Sequence, residues 1–136
     1  MAKYPYSILP IPSGGQVFKP LISVRLIYKK THKLTAPVYG LIDSGADVCF
    51  CSQDIGLWLG INFKNKKPIS FTAANNKAFL TFKEVISLQV CRLTYDCPFY
   101  FSAELPPKFP IILGQIGFFD HFKVNFDLRK KEIEII

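Results

Sequence analysis

Apolar and polar residues alternate along "LISVRLIY", with Ile22, Val24, Leu26 and Tyr28 on one face and Ser23 and Arg25 on the other. A period of two is that of a strand with one dry and one wet face. The polar turn "KKTHK" (29–33) follows, and "TAPVYGLID" returns as a more continuously apolar strand. These two runs predict a hairpin that delivers Asp43 to the interior. "VCFC" (48–51) is short and apolar, and "SQDIGLWLG" (52–60) predicts a brief helix. Ser52 is its N-cap, Asp54 lies near its positive end, Gly60 stops it, and Gly56 is a weak point within it.

From residue 68, "PISFTAANNKAFLTFKEVISLQV" reads as two strands about Asn75 and Asn76, which tolerate positive φ and suit a tight hairpin. Phe71, Phe79 and Phe82 flank this polar tip, as in a projecting ribbon with a functional underside. Leu80, Phe82, Ile86, Leu88 and Val90 share one face, interrupted by Glu84, near which the ribbon is expected to leave the body. "YDCPFYF" (95–101) is a further strand, and Pro98 makes it an edge candidate because proline cannot donate to a ladder. "FPIILGQIGFFDHF" gives a buried run, a glycine and a helical turn. "FKVNFDLRKKEIEII" closes the chain as a hairpin with Val124, Phe126, Ile133 and Ile135 inward. Residues 1–20, proline-rich with a Gly-Gly pair, are expected to be an extended arm without regular structure at its end, and residues 21–136 a single domain.

A chain of 136 residues holds one ordinary domain and not two. Its 49% hydrophobic and 15% aromatic content supplies a core and excludes disorder of the whole chain. No run reaches the roughly 20 apolar residues of a membrane helix, and the start lacks the apolar segment of a secretory signal, so a soluble, cytoplasmic protein is expected. Cys49, Cys51, Cys91 and Cys97 then act as reduced, small core residues; their spacing does not match the common zinc patterns, and no metal is expected. The net charge of +7 raises the possibility of nucleic acid. The basic residues, however, cluster at "KKTHK", "KNKK" (64–67) and "RKK" (129–131), between strand-like runs, and only three are arginines. That reads as solvated turns and argues against a nucleic-acid partner. Trp58, Phe118, Phe119 and Phe122 are expected in the core and His121 on the surface.

The stretch "LIDSGAD" (41–47) breaks the strand pattern by running two apolar residues into an acid, a hydroxyl and a glycine. Asp-Ser-Gly alone is an ordinary turn. A carboxylate fixed at the floor of a cleft has the same needs: an acid leaving a buried strand, a hydroxyl to lock the turn, and a glycine that lets substrate backbone approach. The stretch resembles the active-site signature of the aspartic proteases, apolar-apolar-Asp-Thr/Ser-Gly-Ala/Ser, and Asp47 narrows it to the retropepsin, or retroviral-type, branch. The ribbon at 68–84 sits where that family carries its flap, and "IILG" (111–114) resembles its second apolar-apolar-Gly element. The C-terminal part is similar to small bacterial members.

The resemblance implies an all-β, single-lobe acid-protease barrel with a flap hairpin and one or two short helices. It implies an aspartic-type endopeptidase acting on peptide or protein substrates, with Asp43 catalytic and Ser44, Gly45 and Gly114 supporting it. Gly45, Asp47 and the flap tip Ala74, Asn75, Asn76 and Lys77 would bind substrate, without metal or organic cofactor. The mechanism uses two carboxylates sharing one proton. Among six aspartates only Asp43 is followed by Ser-Gly or Thr-Gly, so the second acid must come from a second chain in a homodimer. A catalytically silent peptide-binding or assembly module of the same fold is the alternative. Two departures stand out: the tip "AANNKA" is not glycine-rich, and Gln115 replaces the arginine that braces viral dimers through an ion pair.

Overall fold

A computed structural model describes residues 2–136. Three strands occupy the N-terminal arm: β1 (Ala2–Pro5), β2 (Ser7–Pro10) and β3 (Gln16–Lys19). β4 (Leu21–Tyr28), β5 (Lys33–Leu34), β6 (Val38–Ile42) and β7 (Cys49–Ser52) lead into the single helix among the described residues, α1 (Gln53–Trp58). Then come β8 (Ile69–Thr72), β9 (Ala78–Val90), β10 (Leu93–Ser102), β11 (Ile111–Leu113), β12 (Val124–Asp127) and β13 (Glu132–Ile135).

β4, β6, β11, β7, β10 and β9 are hydrogen-bonded in that order, and β9 pairs back onto β4, closing a six-strand barrel. Closure follows from the long alternating runs: each has a largely apolar face, broken in β9 only by Glu84, and rolling the sheet turns these faces onto one another. Ile22, Val24 and Leu26 of β4, Ile86, Leu88 and Val90 of β9, and Cys97, Phe99 and Phe101 of β10 are all 2% exposed or less. Burying a large apolar side chain contributes roughly 1.5–3 kcal/mol, so this inner face is the main source of stability. Leu59, Ile61 and Phe63 cover the Phe101 end of the barrel, with Phe63 and Phe101 5.6 Å apart. At the Cys97 end lie Phe118 and Phe122, joined in the same core by Ile133 and Ile135 of the terminal sheet β1-β13-β12.

The helix forms as predicted. The Ser52 hydroxyl accepts the Asp54 N–H at 3.2 Å, and the chain turns away at Gly60. Gly56, the weak point in propensity, has a packing reason: a Cβ there would stand 2.6 Å from Phe63 Cζ and 2.8 Å from Phe101 Cδ1. The hairpin of β8 and β9 turns through Asn76 at φ 63°, with the Ala73 N–H donating to the Lys77 carbonyl. β9 pairs with β10 only from Phe82 onward, so the ribbon leaves the body there, two residues before Glu84. Its aromatic residues fold back: Phe71 lies 5.2 Å from Phe50 and 5.1 Å from Tyr100, and Phe79 lies 5.5 Å from Phe50.

Four expectations are corrected. The arm is regular after all, because β1 pairs with β13 while β2 and β3 form their own hairpin, with Pro5 and Pro10 at strand ends and Gly14-Gly15 in the turn. β10 is not an edge strand: it pairs with β9 along its length and with β7 from Phe99 to Ser102. Pro98 stands one residue before the β7 ladder begins, where it is not asked for an N–H. Leu80 and Phe126 are 54% and 44% exposed, since the first lies on the projecting ribbon and the second on the outer strand of the terminal sheet. Trp58 is 55% exposed at the end of α1, with the Lys33 ammonium 5.5 Å from its ring.

Glu84 closes the gap in the apolar face of β9. Its Oε2 accepts the Tyr28 hydroxyl at 3.0 Å and pairs with Lys66 at 3.0 Å, and its Oε1 accepts the Val85 N–H at 2.9 Å. Burial pushes the carboxyl up, but Lys66, the Val85 N–H and the Tyr28 hydroxyl together outweigh it and hold the group below its ordinary value. Burial, then Glu84, pushes the Tyr28 phenol up to about 12. A carboxyl depressed on folding stabilises the protein fully above its unfolded value of 4.5 and loses that contribution as pH falls through the folded one. Glu84→Gln is expected to cost about 1–2 kcal/mol near neutral pH, with the difference from the parent narrowing on acidification. Urea unfolding of both proteins across that range checks it, and a difference independent of pH would be the contrary result.

Candidate active site

The site begins with a buried strand that stops on an acid. β6 pairs in parallel with β11, Gly40 opposite Ile111 and Ile42 opposite Leu113. The ladder continues one step further: the Asp43 N–H donates to the Leu113 carbonyl at 2.9 Å. Beyond it the chain curls on the acid itself. Asp43 Oδ1 accepts the Gly45 N–H at 2.9 Å, and the Asp43 carbonyl accepts the Ala46 N–H at 3.1 Å. This is the local turn that an Asx side chain favours. Asp43 is half-buried in the single chain, and Ser44, Gly45 and Asp47 are exposed.

A second loop, which follows β11, grips the first. The Gln115 N–H donates to the Ala46 carbonyl at 2.9 Å and the Ile116 N–H to the Asp47 carbonyl at 3.0 Å. Gln115 Nε2 adds a bond to the Ser44 carbonyl at 2.9 Å. The two loops lie so close because residue 114 is glycine: a Cβ there would overlap the Val48 carbonyl oxygen and stand 2.7 Å from that of Ala46. The Gly114 N–H points at the buried Cys49 thiol, 3.4 Å away. From β10, the Tyr95 hydroxyl holds the Gly117 carbonyl at 2.6 Å, and burial pushes its phenol strongly up.

The structure thus brings Asp43, Ser44, Gly45, Asp47 and Gly114 together. Ala74, Asn75, Asn76 and Lys77 lie apart from them at the hairpin tip, all exposed, with hydrogen bonds only within the tip among the described residues. What connects the two groups is β7. It starts two residues after Asp47, and its Phe50 carries the underside of the hairpin through Phe71 and Phe79. Two parts were missed from the sequence. Gln115 registers there only as a lost ion pair, whereas it braces the Asp43 loop within its own chain. The Phe50–Tyr100 platform was hidden because it joins two strands remote in sequence, β7 and β10, whose pairing leaves no local trace. Among the described residues, no three His, Cys, Asp or Glu side chains cluster to hold a metal ion, and no helix is long and apolar enough to cross a membrane.

A closed six-strand barrel with a projecting hairpin, and an Asp-Ser-Gly turn clasped by an apolar-apolar-Gly loop, is the retropepsin-like fold. Solved structures that share it include the following two. A retropepsin-like aspartic protease from Rickettsia conorii superposes with a TM-score of 0.62 at 13% sequence identity, covering 100% of this chain and 99% of that one. EIAV protease, in complex with the inhibitor HBY-793, superposes with a TM-score of 0.54 at 15% identity, covering 71% of this chain and 82% of that one. No family model and no curated protein matches the sequence.

The clasp sets an order among substitutions. Gly114→Ala drives a methyl group into two backbone carbonyls and is expected to lose about 2–4 kcal/mol. Gln115→Ala removes one exposed hydrogen bond and is expected to lose about 0.5–1 kcal/mol. Denaturant midpoints of the two variants give the comparison, and a Gly114→Ala protein as stable as the parent would refute the close approach.

Proposed function

We propose that the protein is an aspartic-type endopeptidase whose active site is completed across a homodimer by the Asp43 of each copy. The observation that carries this reading is the fixing of Asp43 at three points, through its N–H, its carbonyl and one carboxylate oxygen, at the exposed end of a barrel strand. A surface acid in an ordinary turn has no need of a second loop to hold it. The fold, shared with two aspartic proteases of very different sequence, supports the same reading.

In this proposal the two Asp43 carboxyls share one proton. The ionised one takes a proton from a water molecule as that water attacks the scissile carbonyl, and the protonated one donates a hydrogen bond to the carbonyl oxygen. Ser44 faces its mate across the twofold axis, consistent with an exposed hydroxyl that has no partner among the described residues. The substrate lies extended as an added strand, its backbone met by Gly45 and Asp47 below and by the tip Ala74–Lys77, acting as a flap, above. β13 is flanked by β1 and β12 of its own chain, so the copies have no need to exchange terminal strands. The dimer instead rests on the Asp43 loops and the surface around them. A mechanism that needs one ionised and one protonated acid puts maximal activity at acidic to mildly acidic pH.

Cleavage of casein or a mixed peptide library between about pH 3.5 and pH 7 tests the reaction. Asp43→Asn, nearly isosteric, is expected to lower the rate at least about a thousandfold. Titrating Asp43→Asn protein into the parent is expected to reduce activity beyond simple dilution, because a mixed dimer holds only one acid. Equal cleavage by parent and variant would refute the chemistry, and an active enzyme that sediments strictly as a monomer would refute the shared site.

A further inference from the structure

Far from the Asp43 loop, two basic segments remote in sequence are packed side by side. α1 follows the far end of β7, and its C-terminal turn meets the 29–33 turn: the Thr31 hydroxyl donates to the Leu59 carbonyl at 2.6 Å, and Lys33 Nζ donates to the Trp58 carbonyl at 3.1 Å. The loop after α1 completes the face, with Lys30 and Lys66 lining one shallow cavity. Lys29, Lys30, Lys33 and Lys66 are thereby brought together, and Lys64 and Lys67 stand exposed in the same loop as Lys66.

Solvated turns would account for the lysines taken one segment at a time, but two further observations point to a partner. Two of the nearby acids are committed, Asp96 to Lys29 at 2.9 Å and Glu84 to Lys66 at 3.0 Å; Asp54, exposed one turn before Trp58, is the one acid set against the free lysines. Lys30, Lys33, Lys64 and Lys67 have no ion-pair partner among the described residues. Beside this field, net positive with four free lysines against Asp54, stand two large apolar side chains, Leu57 at 56% and Trp58 at 55% exposure. Like charges crowded around bare apolar surface are unfavourable in water and complementary to an anionic lipid bilayer. There, lysines meet head-group phosphates, and a tryptophan ring settles at the head-group level beside a leucine that enters the acyl boundary. A nucleic acid would use the charges and the ring but leave Leu57 in water, and no arginine stands among these residues.

We propose that the face made by the 29–33 turn, the end of α1 and the 62–67 loop docks on an anionic membrane surface, with Trp58 and Leu57 inserted and the lysines on the head groups. The docking is independent of the proteolytic reading. It leaves the Asp43 loop free, since β7 separates the two.

Trp58 is the only tryptophan of the chain, so its emission reports on this face alone. The full-length protein is mixed with vesicles of phosphatidylcholine, or of phosphatidylcholine with about 30% phosphatidylglycerol, and followed by co-sedimentation and Trp58 fluorescence. Expected are pelleting and a blue shift with anionic vesicles only, both weakening as salt is raised. The exposed double variant Lys30→Glu, Lys67→Glu is expected to bind at least about tenfold more weakly with an unchanged melting temperature, and Trp58→Ala several-fold more weakly, while Asp43→Asn binds as the parent does. Four results would each overturn the proposal: no pelleting with anionic vesicles, equal pelleting with neutral ones, full binding by the charge-reversed variant, or pelleting with Trp58 emission unmoved. Quenching by a single-stranded oligonucleotide in a protein indifferent to vesicles would also overturn it, in favour of a nucleic-acid partner.

Discussion

The parallel pairing of β6 with β11 is the constraint on which the rest depends. A parallel pair cannot be closed by a short turn; it requires a long excursion of chain, and here that excursion contains α1, the hairpin, β9 and β10. Everything between residues 43 and 110 is in that sense a loop that must fold compactly for Leu113 to meet Asp43. The local consequence is rigidity. Asp43 and Gly114 leave their strands at the same level, and the two departing loops pair with each other instead of with solvent. The carboxylate is therefore held by the barrel and not by a flexible turn, which is the pre-organisation that acid chemistry needs.

Local patterns in the sequence reveal what each segment is, but seldom what it pairs with. The alternation of "LISVRLIY", the capping by Ser52 and the positive-φ preference of Asn76 act within a few residues, and the corresponding elements form where expected. The return of β9 onto β4, which closes the barrel, joins residues some sixty positions apart and leaves no local trace. The same limit explains Phe126, whose alternation is sound but whose strand lies at the margin of its sheet, and Pro98, whose missing donor matters only where a second ladder begins. In the candidate site, Asp43, Ser44, Gly45 and Gly114 are legible through the family-like patterns "LIDSGAD" and "IILG", since Asp-Ser-Gly alone is an ordinary turn. Gln115 is not, because a glutamine acquires its role only from the carbonyl that happens to face it.

The aromatic residues divide into two populations. Phe99, Phe101 and Phe118 fill the barrel and serve stability. Phe50, Phe71, Phe79 and Tyr100 instead form a contact between the hairpin and the outer wall, with edge-on and tilted rings whose separate contributions are modest, roughly 0.5–1.5 kcal/mol per pair. A contact of that strength seats the ribbon without welding it. Its tip stays exposed and free to adjust, while its base keeps a fixed bearing on the strand that leads out of the Asp43 loop.

The pairing of β1 with β13 joins the two ends of the chain in one sheet. The first strand thus serves as a cover: it occupies the backbone donors and acceptors along one side of a strand whose Ile133 and Ile135 belong to the core. Trimming away those few residues would uncover a ready template for another strand. Solubility would be lost first, as truncated chains zipped together through their uncapped edges into ribbons.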